Sequence, residues 1–285
     1  MGSAGLDDFE VTPVPGDDTR FTAVIGSKWM LVAVPQGGVV AALALQAMTA
    51  TLDVDAQSLR SLSAVFAGQV AAGPVEIEVA VLRRGRSMSQ LSATVHNPGA
   101  PAGLTAVAVF GAPRRGFEFT DLTFPDVPGP DGLRSYRDPL PEGIDFTFDG
   151  PLLPFWCEAL DARPATGRPP WEDFEDGPAE VSYWYHLDAP PLLADGSLHP
   201  AGLIVMCDTM PGAVSQKLGE ESWFGPSADF TIHVLGPARP GWFLAQNRAR
   251  HAGDGYASVE MALWDPTGPR LVAYATQMMF FAFGT

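Results

Sequence analysis

Residues 61–110 read SLSAVFAGQVAAGPVEIEVAVLRRGRSMSQLSATVHNPGAPAGLTAVAVF, and their pattern of glycines, prolines and apolar residues returns without a gap in residues 229–278. The second stretch reads DFTIHVLGPARPGWFLAQNRARHAGDGYASVEMALWDPTGPRLVAYATQM. At this offset of 168 residues (229 minus 61), Gly73 meets Gly241 and Gly85 meets Gly253. A repeat of this length that occurs twice indicates two fused domains, because a solenoid needs three or more short units.

An apolar stretch opened by glycine precedes each copy. Residues 37–43 (GGVVAAL) correspond to residues 201–206 (AGLIVM), here at an offset of 164 (201 minus 37). The first stretch continues as a helix that is apolar on all sides, which is typical of a helix enclosed by other elements. We therefore expect buried helices at about 37–52 and 200–217, with Pro211 kinking or ending the second one.

Runs of residues with strand character surround these helices. In residues 75–81, Val75, Ile77 and Val79 alternate with other side chains, as in a half-buried strand. The other predicted strands are 21–25, 29–32, 87–95, 104–110, 155–160, 181–186, 228–235, 242–250, 256–264 and 271–283. Their short turns favour antiparallel pairing, because parallel strands need long crossover connections. The pattern predicts an α+β fold in which each half wraps an antiparallel sheet around its helix, with the halves paired edge to edge.

Residues 112–145 differ in composition from both halves. They are rich in proline, aspartate and glycine, as in the stretch PDVPGPDG at 125–132, which is typical of a linker with little regular structure. The predicted organisation is therefore an N-terminal repeat at 1–111, a linker at 112–145 and a C-terminal repeat at 146–285.

Composition excludes several classes of protein. The chain has 285 residues and a formal net charge of −16, so it lacks the basic surface that neutralises nucleic acid phosphates. No apolar run reaches the ~18 residues of a membrane span. The first eight residues contain no basic region and no apolar core, so we expect no signal peptide. Two cysteines make no disulfide framework, and the five histidines are scattered, so we expect a cytoplasmic protein without a bound metal.

Five further stretches carry a resemblance to a known family. They are Pro35-Gln36-Gly37-Gly38 before the first helix, Cys207-Asp208 on the second helix, and the C-terminal segments AGDGY (252–256), LWDP (263–266) and LVAYATQ (271–277). These stretches resemble the acyl-CoA thioesterase II family over nearly the whole chain outside the 112–145 linker. The resemblance implies a double-hotdog fold and the hydrolysis of acyl-CoA thioesters by an activated water, with no cofactor, no metal and no covalent intermediate.

The resemblance also implies a set of catalytic residues. Its aspartate, serine and glutamine match Asp208, Ser227 and Gln277, and Thr231 is the alternative to Ser227. An aspartate can accept a proton from water, and the other two side chains can orient that water. Backbone N–H groups near Gly37 and Gly38 can stabilise the negative charge that develops on the thioester oxygen. The site would lie between the two halves.

The internal repeat provides a test of this set from the sequence itself. All three side chains have apolar counterparts in the first half: Asp208 matches Ala44, Ser227 matches Leu59 and Gln277 matches Val109. A buried carboxylate is costly unless it is hydrogen-bonded, and the alanine shows that the fold itself does not require it. The comparison favours a functional role and predicts one active site per chain.

Each of these residues can also have a purely structural role. Asp208 can cap the helix end near Pro211, Gln277 can be an ordinary strand residue, and Ser227 can serve a turn beside Pro226. The two glycines can simply allow tight packing. Cys207 lies in an apolar helix with no histidine nearby in sequence, so it is interpreted as a core residue and not as a nucleophile.

The functional hypotheses that follow differ in class. The leading one is an acyl-CoA thioesterase that acts as a homodimer or larger homo-oligomer, and a carrier-protein thioester is an alternative substrate. A hotdog hydratase is disfavoured, because it would have a histidine five residues after Asp208, where Ala213 stands. A third hypothesis is an acyl-binding or pathway-accessory protein without catalysis. No Gly-x-Ser-x-Gly motif is present, which disfavours an α/β-hydrolase.

Overall fold

The computed structural model of the chain describes residues 5–139, 141–143, 154–169, 171–172, 175–218 and 223–283. Residues 140, 144 and 145 of the predicted linker and residues 146–153 of the predicted C-terminal repeat lie outside this description. The first half contains, in order, β1 (Thr12–Val14), β2 (Asp17–Ile25), α1 (Gly37–Leu52), β3 (Ser58–Phe66), β4 (Gly73–Arg83), β5 (Met88–His96) and β6 (Leu104–Gly111).

The second half repeats this order with a shorter helix and additional short elements. It contains β7 (Leu160–Thr166), β8 (Glu180–Leu187), α2 (Pro200–Cys207), α3 (Pro211–Ser215), β9 (Trp223–Phe224), β10 (Ser227–Val234), β11 (Trp242–Gly253), β12 (Tyr256–Asp265), β13 (Arg270–Phe280) and β14 (Ala282–Phe283). The helix predicted at 200–217 is therefore two helices, and the second begins at Pro211.

Twelve strands of the described residues form one antiparallel sheet in the order β1-β2-β4-β5-β6-β3-β10-β13-β12-β11-β8-β7. The two halves join where β3 pairs with β10, for example Ser63 with Thr231. This is the edge-to-edge pairing expected from the sequence. The short strands β9 and β14 form a separate pair.

The helix α1 lies on the inner face of the sheet and contacts all the main strands of its half, as well as α2. Its N-terminus is capped by Gln36, whose side chain accepts a hydrogen bond from the Val39 N–H at 3.0 Å. Its C-terminus is closed by Asp53 in the left-handed conformation, and Arg84 donates hydrogen bonds to the carbonyls of Thr51 and Leu52. These carbonyls have no partner within the helix, so the guanidinium stabilises the helix end.

Two predicted strands are wrong. Trp29 is the last residue of a 3₁₀ turn (Ser27–Trp29), residues 30–32 belong to no strand, and residues 155–159 form a π-helical turn that precedes β7. Both turns carry a large aromatic side chain into the core, where Trp29 packs between Phe9 and Phe155 at ring-centroid distances of 5.4 and 6.3 Å. The apolar runs therefore reflect burial and not strand pairing.

The described part of the linker, 112–139 and 141–143, contains no helix or strand. Its residues Phe124, Val127 and Leu133 pack on the outer face of the second half, whereas Tyr136 packs against the main core. Phe124 packs edge-on against Trp264 at 5.7 Å, and the Trp184 indole N–H donates to the Pro128 carbonyl at 2.7 Å. The segment thus covers two tryptophans that the sheet would otherwise expose to water. Among the described residues, no helix is long and apolar enough to cross a membrane.

Candidate active site

Asp208 lies at the point where α2 ends. Its backbone (φ −91°, ψ 45°) is no longer helical, and the helix cannot continue regularly because Pro211 has no N–H for the carbonyl four residues earlier. The corresponding position in the first half is Ala44, in the middle of the uninterrupted helix α1. The break leaves the Asp208 side chain facing the N-terminus of α1.

The Asp208 carboxylate is held by two donors from distant parts of the chain. The Gly38 N–H donates to Oδ2 at 2.7 Å, and Gln277 Nε2 donates to Oδ1 at 2.7 Å. The side chain is buried, and burial raises the pKa of Asp208 to about 7, although both hydrogen bonds act in the opposite direction. The carboxyl group therefore titrates near neutrality, as a general base requires.

The two glycines at the start of α1 allow this close approach. A Cβ at Gly37 would lie 2.7 Å from the Phe66 ring and 2.9 Å from Asp208 Oδ2. A Cβ at Gly38 would lie 2.9 Å from the backbone carbonyl oxygen of Ile204 in α2. The Gly38 N–H is occupied by Asp208, so among the described residues the Gly37 N–H is the donor of this glycine pair that remains open.

Gln277 joins the carboxylate to Ser227. The same amide nitrogen that donates to Asp208 also donates to Ser227 Oγ, at the start of β10. Gln277 is buried, and its Oε1 has no hydrogen-bond partner in the part of the chain that the structure describes. A buried acceptor without a partner is costly, which favours a role in binding a further donor.

Thr231, the alternative to Ser227, does not join this cluster. It lies further along β10 on the outer face of the sheet, where its Oγ1 donates to Ser63 Oγ at 3.0 Å. Phe230, its neighbour, is the residue whose side chain points inward and is fully buried. The geometry therefore favours Ser227 over Thr231 as the third polar residue.

The sheet register corrects one match in the repeat. Val259 lies opposite Gln277. The counterpart of Val259 in the first half is Leu91, which lies opposite Ala108. Gln277 therefore occupies the position of Ala108 and not that of Val109. The difference arises because Val272 is an extra residue in β13, where the pairing with β12 shifts. The new counterpart is also apolar, so the three polar side chains still occur in one half only.

Gln36 is a residue of this region that sequence reasoning missed. Its Nε2 donates to the carbonyls of Val205 and Asp208 at 3.0 and 2.8 Å, while its Oε1 accepts the Val39 N–H. One buried side chain thus caps the start of α1 and the end of α2 together. The signal available in the sequence was its place immediately before the glycine pair.

Cys207 is the thiol next to Asp208 in the sequence. Cys207 is fully buried, and burial raises the pKa of its thiol, with the adjacent Asp208 adding to the effect. Such a thiol stays protonated and unreactive. No group of three or more histidine, cysteine, aspartate or glutamate side chains could hold a metal ion within the described ranges.

Comparison with protein families gives matches to both halves. The N-terminal domain of acyl-CoA thioesterases matches residues 25–111, and their C-terminal domain matches residues 130–281. The second match covers more than half of the chain. No curated protein sequence matches significantly.

Solved structures extend the likeness over the whole chain. A hotdog-fold protein of unknown function from Alicyclobacillus acidocaldarius is 24% identical with a TM-score of 0.77, and 99% of this chain and 98% of that chain are covered. The acyl-CoA thioesterase II TesB2 from Mycobacterium marinum is 20% identical with a TM-score of 0.74, and 99% of each chain is covered. At these identities the likeness shows the hotdog fold.

Proposed function

The chain belongs to the acyl-CoA thioesterase family, and from this premise we propose that it hydrolyses an acyl-CoA thioester to the free acid and CoA. The proposed site is single and lies between two hotdog halves, with Asp208, Gln277 and Ser227 from the second half and the α1 N-terminus from the first. The observation that carries the proposal is the Asp208 carboxylate, buried between the Gly38 N–H and the Gln277 amide.

Asp208 is the proposed general base. A water held between Asp208 and the open Gln277 Oε1 would attack the thioester carbonyl carbon while its proton passes to the carboxylate. The tetrahedral intermediate then collapses with cleavage of the carbon–sulfur bond, and the proton on Asp208 passes to the sulfur of the leaving thiol. Ser227 fixes the Gln277 amide through the hydrogen bond to its Oγ.

The developing oxyanion needs donors that are already in place. The Gly37 N–H at the N-terminus of α1 is the proposed donor, and the positive end of the helix dipole adds to its effect. Gly38 was predicted to share this task, but its N–H holds the base, so we propose that it orients Asp208 instead. In this proposal Gly37 stabilises the oxyanion and Gly38 orients the base.

The test is thiol release from a panel of short-chain, long-chain and aromatic acyl-CoAs, with acyl-carrier-protein thioesters as a second arm. We expect turnover by the wild type and its loss in Asp208→Asn, whose fold is checked by circular dichroism. If only carrier-protein thioesters are hydrolysed, the substrate is an acyl-carrier-protein thioester and not an acyl-CoA. Binding of acyl-CoA without any turnover, or undiminished turnover by Asp208→Asn, would overturn the proposal.

A further inference from the structure

The end of α2 is held by side chains rather than by continued helix. The Ile204 carbonyl still accepts the Asp208 N–H as in a regular helix, but that of Val205 accepts Gln36 Nε2 and that of Met206 accepts Thr209 Oγ1 at 2.7 Å. A helix end leaves such carbonyls without intrahelical partners. The position of Asp208 therefore depends on the side chains on either side of it.

The Thr209 hydroxyl is anchored to the sheet. It hydrogen-bonds with the Tyr185 hydroxyl on β8, at an oxygen–oxygen distance of 3.1 Å. Tyr185 is almost completely buried and stacks on Tyr183, with ring centroids 5.7 Å apart and ring planes 9° apart. Since burial raises the pKa of Tyr185 well above its ordinary value, its hydroxyl stays protonated and can donate.

These two polar groups occur only in the half that carries Asp208. Thr209 matches Leu45 at the offset of 164. On the sheet, Tyr185 lies opposite Phe243. Phe243 corresponds to Val75 at the offset of 168, and Val75 lies opposite Ala23, so Ala23 is the counterpart of Tyr185. Neither apolar counterpart can make this hydrogen bond, so the fold of a half does not require it.

Asp208 is thus held from two directions. Gln36 binds its carbonyl from the side of α1, and Tyr185 holds the next residue, Thr209, from the side of β8. Between these two anchors the carboxylate meets the Gly38 N–H. A displacement of about 1 Å in a catalytic group can cost up to ~100-fold in rate, so the anchors bear directly on catalysis.

We propose that Tyr185, acting through the Thr209 hydroxyl, is a positioning residue that fixes the break after α2 and so places the Asp208 carboxylate against the Gly38 N–H. The inference rests on the proposed function of Asp208. Tyr185 bonds to Thr209 and not to the carboxylate of Asp208 or to Gln277 and Ser227, so its effect would pass through the backbone of residues 208 and 209.

The first test compares Tyr185→Phe with Tyr183→Phe. Both variants remove one buried hydroxyl from the same face of β8, but the Tyr183 ring lies beside Tyr136, with centroids 6.0 Å apart, and it is Tyr185 that bonds to Thr209. We expect Tyr185→Phe to lower kcat about 10-fold with KM changed less than about 2-fold, and Tyr183→Phe to leave both within about 2-fold. Equal effects of the two variants would overturn the inference.

A second pair isolates the hydroxyl of Thr209. Thr209→Ser keeps the hydroxyl and is expected to retain most of kcat. The isosteric Thr209→Val also leaves the Met206 carbonyl without its donor, so it is expected to lower kcat at least as much as Tyr185→Phe. A loss in Thr209→Ser as large as that in Thr209→Val would mean that packing, and not the hydrogen bond, matters here, and would overturn the inference.

A third measurement is independent of activity. Amide hydrogen exchange of Gly38, followed by NMR, reports directly on its hydrogen bond to Asp208, and we expect it to be about 10-fold faster in Tyr185→Phe than in Tyr183→Phe. If the wild type hydrolyses no thioester, the proposed function fails, and this comparison still decides the positioning inference. Equal exchange rates in the two variants would contradict it.

Discussion

The helix of the first half runs unbroken from Gly37 to Leu52, whereas the helix of the second half stops after eight residues, at Asp208. The two helices hold corresponding positions in the repeated order of elements, and the counterpart of Asp208 is the fully buried Ala44. The first half shows that a half can be built on a continuous apolar helix with no carboxylate at this position. The second half departs from it where a carboxylate is presented to the N-terminus of the other helix.

The strands of the two halves differ in the same way as the helices. Gln277 and Ser227 stand in the positions of Ala108 and Leu59, which are buried and apolar in the first half. Replacing apolar by polar core groups costs stability unless their hydrogen bonds are made. In the second half these bonds are made between the side chains themselves, so the cluster is a single unit whose members support one another.

The largest effect is expected from Asp208→Asn, which removes the base and keeps the shape. The open Gln277 Oε1 can accept from the new amide after rotation of the glutamine, so the fold is retained. We expect kcat for thioester hydrolysis to fall about 1,000-fold, the usual contribution of a general base. Ala44→Ser, at the matched position of the first half, should change kcat by less than about 2-fold.

The glycines at the two helix starts should respond differently to alanine. At Gly38 a Cβ would meet the Ile204 backbone carbonyl at 2.9 Å, which cannot move without shifting α2. At Gly202, its counterpart, a Cβ would meet only flexible leucine side chains at 3.1 Å. We expect Gly38→Ala to lower kcat about 100-fold and Gly202→Ala to lower it less than about 3-fold, measured with matched far-ultraviolet spectra. Similar losses in both variants would contradict the assignment of the close contact.

Much of this asymmetry is accessible from the sequence. The repeat predicts two helices, the edge-to-edge pairing and the apolar counterparts of the three polar residues, and the structure brings Asp208, Gln277 and Ser227 into contact. Comparison of the two copies gives these predictions because a buried helix or strand must keep its apolar pattern in each copy.

Other features depend on contacts between distant residues and leave no local pattern. The bulge at Val272 shifts the counterpart of Gln277 by one residue, and no ungapped alignment shows it. The contacts of Gln36 with Asp208 and of Tyr185 with Thr209 join residues 172 and 24 positions apart. Trp29 and Phe155 suggested strands because a buried aromatic in a tight turn has the same composition as one in a sheet.

The carboxylate also makes stability depend on pH. Because the pKa of Asp208 is raised from 3.8 to about 7, its protonated form favours the folded state, and this contribution is lost as the pH rises from about 4 through 7. The amide that Asp208→Asn introduces does not ionise. We expect the free energy of unfolding of the variant, relative to the wild type, to increase by about 2 to 3 kcal/mol between pH 5 and pH 8. Urea denaturation at the two pH values measures this difference.

Asp265 provides the control of opposite sign in the same half. Burial alone would raise the pKa of Asp265, but hydrogen bonds from Thr267 and Arg239 lower it below its ordinary value. Its charge therefore stabilises the folded state above about pH 4, and Asp265→Asn should destabilise the protein at both pH 5 and pH 8. A stability difference between Asp208→Asn and the wild type that does not change with pH would show that Asp208 ionises normally.

The smallest effect is expected from Ser227→Ala, which removes an anchor of the glutamine and leaves the base in place. Gln277 keeps its hydrogen bond to Asp208 but loses the one to Ser227 Oγ, so the amide can rotate and hold water less well. We expect kcat to fall about 10-fold with an unchanged pH dependence, since the titrating group is still Asp208. Thr231→Val is the matched control, because it removes a hydroxyl from the same strand on the outer face and should leave kcat unchanged. Should Thr231→Val lower kcat more than Ser227→Ala, the third polar residue of the site would be Thr231, and the inward-facing register of β10 would not describe the working enzyme.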